Sequence, residues 1–253
     1  MALIAVSLRR LVLLLAFLLA GPALATMTDD VSLDRTWQTG SRGSAGLAPD
    51  PATTPEAIVQ VYGARTVRWR GAFAVHTWIS VKPRGADSYT THEVTGWRFW
   101  HSGQAVRQRG GPPDRYWFGA KPELYAELRG PEAAAAIDQI DAAIAGYAFA
   151  REYKTWPGPN SNTFTATIAR QVPALELDLP PTAVGKDYLG PAEFLAPAPS
   201  GTGYQVSLFG LLGGLVAVEE GLEINILGLT FGIDPLDLAV KLPGLGRMSA
   251  LSG

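Results

Sequence analysis

The sequence predicts an α+β fold in which an antiparallel sheet packs against two main helices, and three observations lead to this prediction. Segments that alternate apolar and polar residues come first, two segments with apolar residues at helical spacing follow, and glycines divide the apolar C-terminal part into short pieces. The chain has 253 residues, of which 47% are hydrophobic and 17% charged, a composition typical of globular proteins. We therefore expect a folded protein with a sizeable core.

The first 25 residues have the pattern of an export signal. Arg9 and Arg10 precede an apolar run, and the small residues Ala23 and Ala25 stand where signal peptidase reads the chain. The run has about eleven residues, against the roughly 20 that a membrane-spanning helix needs. We expect cleavage after Ala25 and a periplasmic protein, with retention of residues 11–25 as an inner-membrane anchor as the alternative.

The composition of the chain argues against several kinds of chemistry. Cysteine is absent, so the protein has no disulfide and no thiol nucleophile. The formal net charge is −2, from 21 basic and 23 acidic residues, which argues against nucleic acid as a partner. The three histidines show no paired ligand spacing, so we expect no metal site, and nothing in the sequence implies a catalytic cofactor.

The part of the chain after the signal begins with residues 26–54, which are rich in Gly, Ser, Pro, Asp and Thr and predict an extended lead-in. Residues 55–253 are expected to form a single globular domain. Three segments near its start alternate apolar and polar residues and are rich in Val, Ile and aromatics; they are 57–64, 73–82 and 89–99. Because short turns connect them, we expect an antiparallel meander.

Two helices are predicted in the middle of the chain. Residues 130–149 begin with Gly-Pro-Glu, which suits a first helical turn, and carry isoleucines at helical spacing. The second helix begins around Ser161, where Phe164 and Ile168 form one apolar stripe, and Pro173 ends it.

The C-terminal part from Thr202 onward is apolar and rich in glycine, a pattern that membrane segments also show. Glu219, Glu220 and Glu223 interrupt it, and the glycines break it into short pieces. These features predict strands and tight turns packed into the core. A membrane-associated surface is the alternative.

Two residues invite a catalytic interpretation. His76 lies in the middle of a predicted strand, and Ser161 stands at a helix start behind a Pro-Gly-Pro lead. A helix N-terminus lowers the free energy of an ionised nucleophile and of an oxyanion beside it, and His76 could act as base if the fold brings the two together. The alternative is structural, because serine is a common helix cap and a strand histidine beside tryptophans is an ordinary core residue.

Four more polar residues are candidates for the same site. His92, in the next predicted strand, could orient His76 or be an ordinary strand residue. Asn160 and Asn162 flank Ser161 and are candidate binding residues. Lys186, in the segment VGKDY, is a candidate ligand contact, with a solvated lysine as the alternative.

Six blocks of the sequence resemble, in order, the signatures of a proteobacterial family described as domain of unknown function 3750. The blocks are FAVHTWISVKPRGA, WPGPNSNTF, LPPTAVGKDY, PSGTGYQVSLFGLLG, EINILGL and KLPGLGR. The resemblance covers almost the whole chain after the signal. It implies an exported or membrane-associated location and no particular activity.

A second, remote resemblance concerns the strand HTWISVK and the helix start NSNTF. This pair is similar to the circularly permuted papain-like group, which includes lecithin:retinol acyltransferases and relatives of the NlpC/P60 peptidases. The resemblance implies a permuted papain-like fold with His76 as base, Ser161 as nucleophile and His92 as the orienting residue. Asn160 and Phe164 would match the conserved asparagine and the buried anchor of that group. Since Ser161 replaces a cysteine, the resemblance implies either a serine-type hydrolase or a site without catalysis.

These features together predict an envelope hydrolase or acyltransferase that acts on an amide or ester. Ser161 would be the nucleophile, His76 the base, and N–H groups of the first helical turn the oxyanion site. The alternative is a non-catalytic envelope binding or structural protein of the same fold. The substrate would be an unidentified small molecule, peptide or lipid, and a peripheral membrane contact is a further option.

Overall fold

The computed structural model describes residues 2–250 except 29, 35, 37 and 39, and residues 2–8 through their backbone alone. Its α-helices are α1 (Ala2–Ala25), α2 (Gly96–Ser102), α3 (Gly130–Ala145) and α4 (Ser161–Gln171). Within the described ranges, none of the helices has the length and apolarity that crossing a bilayer requires. Four positions of the predicted lead-in and residues 251–253 of the predicted domain lie outside the described residues.

The first sheet is antiparallel and has five strands. They are β1 (Ile58–Arg65), β2 (Val75–Lys82), β3 (Thr90–Val94), β4 (Val106–Gly110) and β5 (Glu123–Arg129). Their order in space is β4-β3-β2-β1-β5, so β2 and β1 lie in the interior of the sheet. These two strands are rich in Val, Ile and aromatic residues, as buried strands are.

The two faces of this sheet have different partners, because successive side chains of a strand point to opposite faces. On one face Ile79 packs with Ile140 of α3 and Phe164 of α4 in the main apolar core. On the other face His76 and Trp78 lie beneath a loop, residues 111–120, and the lead-in. The alternation of β2 therefore separates an apolar core face from a face that carries the candidate histidine.

The lead-in is tied to that loop by Asp114, whose carboxylate is buried. Asp114 accepts hydrogen bonds from the Ser44 hydroxyl at 2.8 Å and from the Leu47 N–H at 2.6 Å. Ser44 also forms a β-bridge with Arg115. These bonds hold the loop over the second face of the sheet.

The second sheet is a meander of seven antiparallel strands, in which each strand pairs with the next along the chain. The strands are β6 (Leu195–Pro197), β7 (Gly203–Leu208), β8 (Leu212–Ala217), β9 (Gly221–Ile226), β10 (Leu229–Asp234), β11 (Ala239–Leu242) and β12 (Gly246–Ser249). Glycines and tight turns join them, as the spacing of glycine in the sequence predicts.

In this second sheet the face turned toward the rest of the molecule is polar, and the face turned away from it is apolar. Its inward positions include buried polar residues, namely Gln205, Ser207, Glu223, Asn225, Thr230, Asp234 and Lys241. The cross-strand register places the remaining positions on what we call the outer face: Leu195, Pro197, Tyr204, Val206, Leu208, Leu212, Gly214, Val216, Leu222, Ile224, Ile226, Leu229, Phe231, Ile233, Val240, Leu242, Gly246 and Met248. None of these outer-face residues is charged, and many of the large side chains are exposed.

The predicted α+β class is confirmed, while the permuted papain-like fold stays a hypothesis. The helix predicted at 130–149 corresponds to α3, and the second helix begins at Ser161 as expected. The third predicted strand, 89–99, ends earlier because Thr95 caps α2: its hydroxyl accepts the Arg98 N–H, and Gly103 in the left-handed region ends that helix. The expectation that the C-terminal strands are packed into the core is wrong for the outer face, because the sheet buries its polar side.

Candidate functional site

The start of α4 places Ser161 at the first helical position. The cap is Asn160, whose Oδ1 accepts the N–H of Asn162 at 2.9 Å and of Thr163 at 3.2 Å, while the Thr163 hydroxyl accepts the Asn160 N–H. This reciprocal capping box satisfies the helix start without the serine side chain. Among the described residues, no group hydrogen-bonds to the Ser161 hydroxyl. The capping role that the sequence allowed for Ser161 therefore belongs to Asn160.

The same helix start is fixed to the beginning of β2. The Thr77 hydroxyl lies 3.2 Å from the Ser161 carbonyl oxygen and 2.9 Å from the Thr165 hydroxyl. The Asn162 side-chain amide donates to the carbonyl oxygen of Val75 at 3.1 Å. Ser161 thereby lies next to residues 75–77 of β2 on the core face of the sheet, whereas the His76 side chain points to the other face.

His76 is held by an acid and by an aromatic ring. Its Nε2 lies 3.0 Å from Glu93 Oε2, and its ring stacks on Trp117 with 3.7 Å between centroids and 13° between planes. Because a carboxylate only accepts, Nε2 carries the proton of this bond and Nδ1 holds a lone pair. Within the described part of the chain, Nδ1 has no hydrogen-bond partner.

The Glu93 carboxylate also pairs with Arg115, whose guanidinium nitrogen donates to Oε2 at 2.7 Å. Burial raises the pKa of Glu93, but the hydrogen bond from His76 and the charge of Arg115 outweigh it and bring the pKa to about 2. Burial lowers the pKa of His76, and the bond to Glu93 does not offset it. At neutral pH the site therefore holds a carboxylate and a neutral imidazole.

The expectation that His92 orients His76 is wrong, and Glu93 has that position. His92 pairs in register with Ile79, which faces the core, so its side chain lies on the face opposite His76. Burial lowers the pKa of His92, and the nearby charge is Asp141 of α3. Alternation along THEV would have identified Glu93 only if the register with β2 had been known.

The predicted binding residues are engaged inside the fold. Asn160 forms the cap described above, and Asn162 donates to the carbonyl oxygens of Val75 and Val184. Lys186 is buried, and its ammonium pairs with Glu223 of β9, so the alternative of a solvated lysine is wrong as well. The fold brings Ser161, Asn160 and Asn162 to the core face of β2, where α4 packs. It places His76 on the opposite face with Glu93 and Trp117, and Lys186 against the second sheet.

Arg115 and Trp117 are site residues that sequence reasoning missed. Both come from the 111–120 loop, which has no periodic pattern, and the lead-in holds this loop through Asp114. The segment PPDRYWFG does combine a cation and aromatic residues in a Pro- and Gly-flanked loop, which is the one sequence signal for them.

The N–H groups at the start of α4 decide where an oxyanion could be bound. The Asn160 side chain accepts the N–H of Asn162 and Thr163, and the Asn160 carbonyl accepts that of Phe164. The Ser161 N–H donates to no group in the described part of the chain. One first-turn donor is thus left for a ligand, rather than the several that an uncapped helix offers.

Among the described residues, no group of three or more His, Cys, Asp or Glu side chains is arranged to hold a metal ion.

Comparison with known proteins gives one match. A family model described as "Protein of unknown function (DUF3750)" matches residues 56–188. This range contains the five-stranded sheet, α2 to α4, and the candidate residues His76, His92, Asn160, Ser161, Asn162 and Lys186. No curated protein and no solved structure matches the chain.

Proposed function

Since the chain belongs to the DUF3750 family, whose description assigns no activity, we propose its function from the site: a hydrolase or acyltransferase that attacks an amide or ester with Ser161. His76 is the general base, and Glu93 orients it. The observation that carries this proposal is the His76–Glu93 hydrogen bond of 3.0 Å, which leaves Nδ1 as the acceptor on a neutral imidazole.

The proposed reaction begins when the Ser161 hydroxyl gives its proton to His76 Nδ1 and its oxygen attacks the carbonyl carbon of the substrate. The Ser161 N–H donates to the oxyanion that forms, and the carboxylate of Glu93 stabilises the imidazolium. His76 then gives the proton to the leaving amine or alcohol. An acyl group remains on Ser161, and water or an acceptor removes it with His76 again acting as base.

Two features of the helix start support this role for Ser161. Its hydroxyl has no capping function, because Asn160 performs it, and Ser161 stands where the positive end of the helix favours negative charge. In the ligand-free chain the Ser161 hydroxyl makes no hydrogen bond to His76 among the described residues. Since the His76 side chain points to the other face of β2, the proposed reaction requires a movement that brings Nδ1 and the Ser161 hydroxyl together.

The alternative is a non-catalytic binding or structural protein of the same fold. The low exposure of the pair, 7% for Ser161 and 6% for His76, favours that alternative. The two functions differ in one measurable property, the reactivity of the Ser161 hydroxyl.

We propose further that the protein is exported and keeps α1 as an anchor in the cell envelope. The apolar run and the arginines before it support export. Packing of α1 on the folded part of the chain supports retention: Ala25, at the predicted cleavage site, is 1% exposed, and the Phe17 ring stacks on Phe231 at 4.8 Å. Gly21 and Gly244 allow the close backbone approach of α1 to the turn at Pro243.

Labelling with a fluorophosphonate probe tests the catalytic proposal. We expect the wild-type protein to be labelled at Ser161, and His76→Ala to slow labelling by about 100-fold or more because the base is lost. His101→Ala, which removes an exposed histidine of α2, should label like the wild type. Labelling that persists in Ser161→Ala, or a folded wild type that resists probes of several sizes, would contradict catalysis and favour the binding or structural function.

A further inference from the structure

The outer face of the seven-stranded sheet is a broad apolar surface that the site does not use. Its exposed large side chains span β6 to β12: Leu195, Tyr204, Val206, Leu208, Leu212, Val216, Leu222, Ile224, Ile233, Val240 and Met248. The middle of the face forms a concave groove with a volume of about 830 Å³, lined mainly by these residues and by Phe231 and Leu242. Soluble monomers rarely expose so large a contiguous apolar surface, and such surfaces commonly mark sites of protein or membrane contact.

We propose that the outer face docks onto the hydrocarbon of a lipid bilayer, with α1, whose described residues do not have the apolar length to cross it, inserted beside the face. The first argument is the medium that α1 requires. Its residues 11–15 are consecutive, apolar and all about half exposed, from 43% to 59%. A helix that is apolar on every side cannot be covered by one protein surface, and hydrocarbon is the solvent that such a helix needs.

The second argument is the continuity of α1 with the outer face. Phe17 of α1 stacks on Phe231 of β10 with an interplanar angle of 9°, and Gly21 approaches Pro243 after β11. Phe17 lies about 12 Å along the helix axis from Ala25, at 1.5 Å per residue. If α1 enters a bilayer, the outer face at Phe231 must therefore lie at the bilayer too.

The third argument is charge. The outer face has no charged residue, whereas the inward face of the same strands carries Glu223, Asp234, Lys241 and Arg247. Burying a charge in hydrocarbon is expensive, so a face in contact with acyl chains must be free of charge. The same absence of charge predicts that docking of the face itself depends little on salt or on anionic lipid, whereas Arg9 and Arg10 of α1 favour anionic lipid.

Single-cysteine labelling of the full chain tests this proposal, because the natural sequence contains no cysteine. An environment-sensitive fluorophore is attached at Val216→Cys or Ile224→Cys on the outer face, at Leu13→Cys on α1, or at Gln139→Cys on the exposed side of α3 as the control. The chain is reconstituted in vesicles of phosphatidylcholine, with and without phosphatidylglycerol, that carry a nitroxide quencher on the acyl chains. Mass spectrometry of the membrane fraction establishes that the N-terminus is intact.

We expect blue-shifted emission and quenching of the labels at 216, 224 and 13, and neither for the label at 139. Quenching at 13 alone would show that α1 inserts without the sheet and would overturn the proposal. In a parallel experiment, pyrene is attached at position 216. Excimer emission without quenching by the nitroxide would show that a second copy of the chain covers the outer face, and this result would also overturn the proposal. If the mature chain begins at Thr26 and does not bind the vesicles, both the anchor and the docking would be overturned.

A paired substitution gives an independent measurement. Val216→Glu combined with Ile224→Glu should lower partitioning into phosphatidylcholine vesicles roughly tenfold or more, since two carboxylates would face the acyl chains. Both side chains are exposed, so the fold should tolerate the change. Gln139→Glu adds a charge to the exposed side of α3 and should leave partitioning unchanged. Equal partitioning of the paired variant and the wild type would contradict the proposal.

Discussion

At the scale of single residues, Glu93 connects the stability of the chain to its proposed chemistry. The buried carboxylate accepts hydrogen bonds from the Nε2–H of His76 and from the guanidinium of Arg115. Its negative charge fixes the tautomer of His76 and balances the positive charge of Arg115. Removal of this one group should therefore affect both the pH dependence of folding and the reactivity of Ser161.

The pKa of Glu93 predicts a loss of stability in acid. In the folded chain the pKa is about 2, against 4.5 for an ordinary glutamate, so the unfolded chain binds more protons between these values. The stabilisation by ionised Glu93 is complete above about pH 4.5 and is lost as the pH falls toward 2, with a magnitude on the order of 3 kcal/mol. Urea unfolding as a function of pH measures it.

Glu93→Gln should be less stable than the wild type at neutral pH, because it leaves Arg115 buried without a counter-charge. It should also lose less stability than the wild type between pH 4.5 and 2. Glu132→Gln changes an exposed glutamate of α3 and should keep the acid profile of the wild type. An unchanged acid profile in Glu93→Gln would contradict the assignment.

At the scale of elements, the start of α4 assigns the helix cap and the candidate nucleophile to two different residues, which the sequence alone did not do. Asn160 satisfies the N–H groups of Asn162 and Thr163, and Ser161 satisfies none of the described groups through its hydroxyl. The cap and the candidate nucleophile are therefore neighbouring residues with independent functions.

This separation predicts different costs for two alanine substitutions. Asn160→Ala should lower the free energy of unfolding by about 1–2 kcal/mol, since the cap bonds are lost. Ser161→Ala should change it by less than about 0.5 kcal/mol, since no hydrogen bond within the described residues is removed. Equilibrium denaturation of both variants checks this. A larger loss for Ser161→Ala than for Asn160→Ala would assign the serine a structural role.

The elements also show what the sequence could and could not predict. The spacing of Ile137, Ile140 and Ile144 predicts α3, because a helix that packs on a sheet needs an apolar stripe. The spacing of glycine predicts the short strands of the second sheet but not which face is buried, and the expectation that these strands pack into the core fails for the apolar face. The pairing of His76 with Glu93 depends on the register of β2 with β3, and a one-residue change would exchange Glu93 for His92.

At the scale of the whole molecule, the second sheet is joined to the rest by buried charges rather than by an apolar core. Glu223 lies between two ammonium groups: Lys186, which follows α4 along the chain, pairs with its Oε2, and Lys241 of β11 with its Oε1 at 2.9 Å. Asp178 accepts a further hydrogen bond from Lys241 at 2.6 Å. A sheet that keeps its apolar face outward needs such a polar attachment on its other face.

This arrangement predicts that the attachment depends on Glu223. Glu223→Gln leaves the ammonium groups of Lys186 and Lys241 buried with too little negative charge, and removal of one partner of a buried ion pair typically costs about 3–5 kcal/mol. Glu193→Gln, at an exposed residue near β6, is the matched control and should change stability by less than about 0.5 kcal/mol.

Denaturant unfolding gives the free energies, and hydrogen exchange of β7 to β11 shows whether the loss lies in the second sheet. Because the inward face cannot be closed without neutralising these charges, exchange in the second sheet should accelerate more than exchange in β1 and β2. A loss below about 1 kcal/mol, which is the range of exposed ion pairs, would mean that apolar contacts rather than charges join the two sheets.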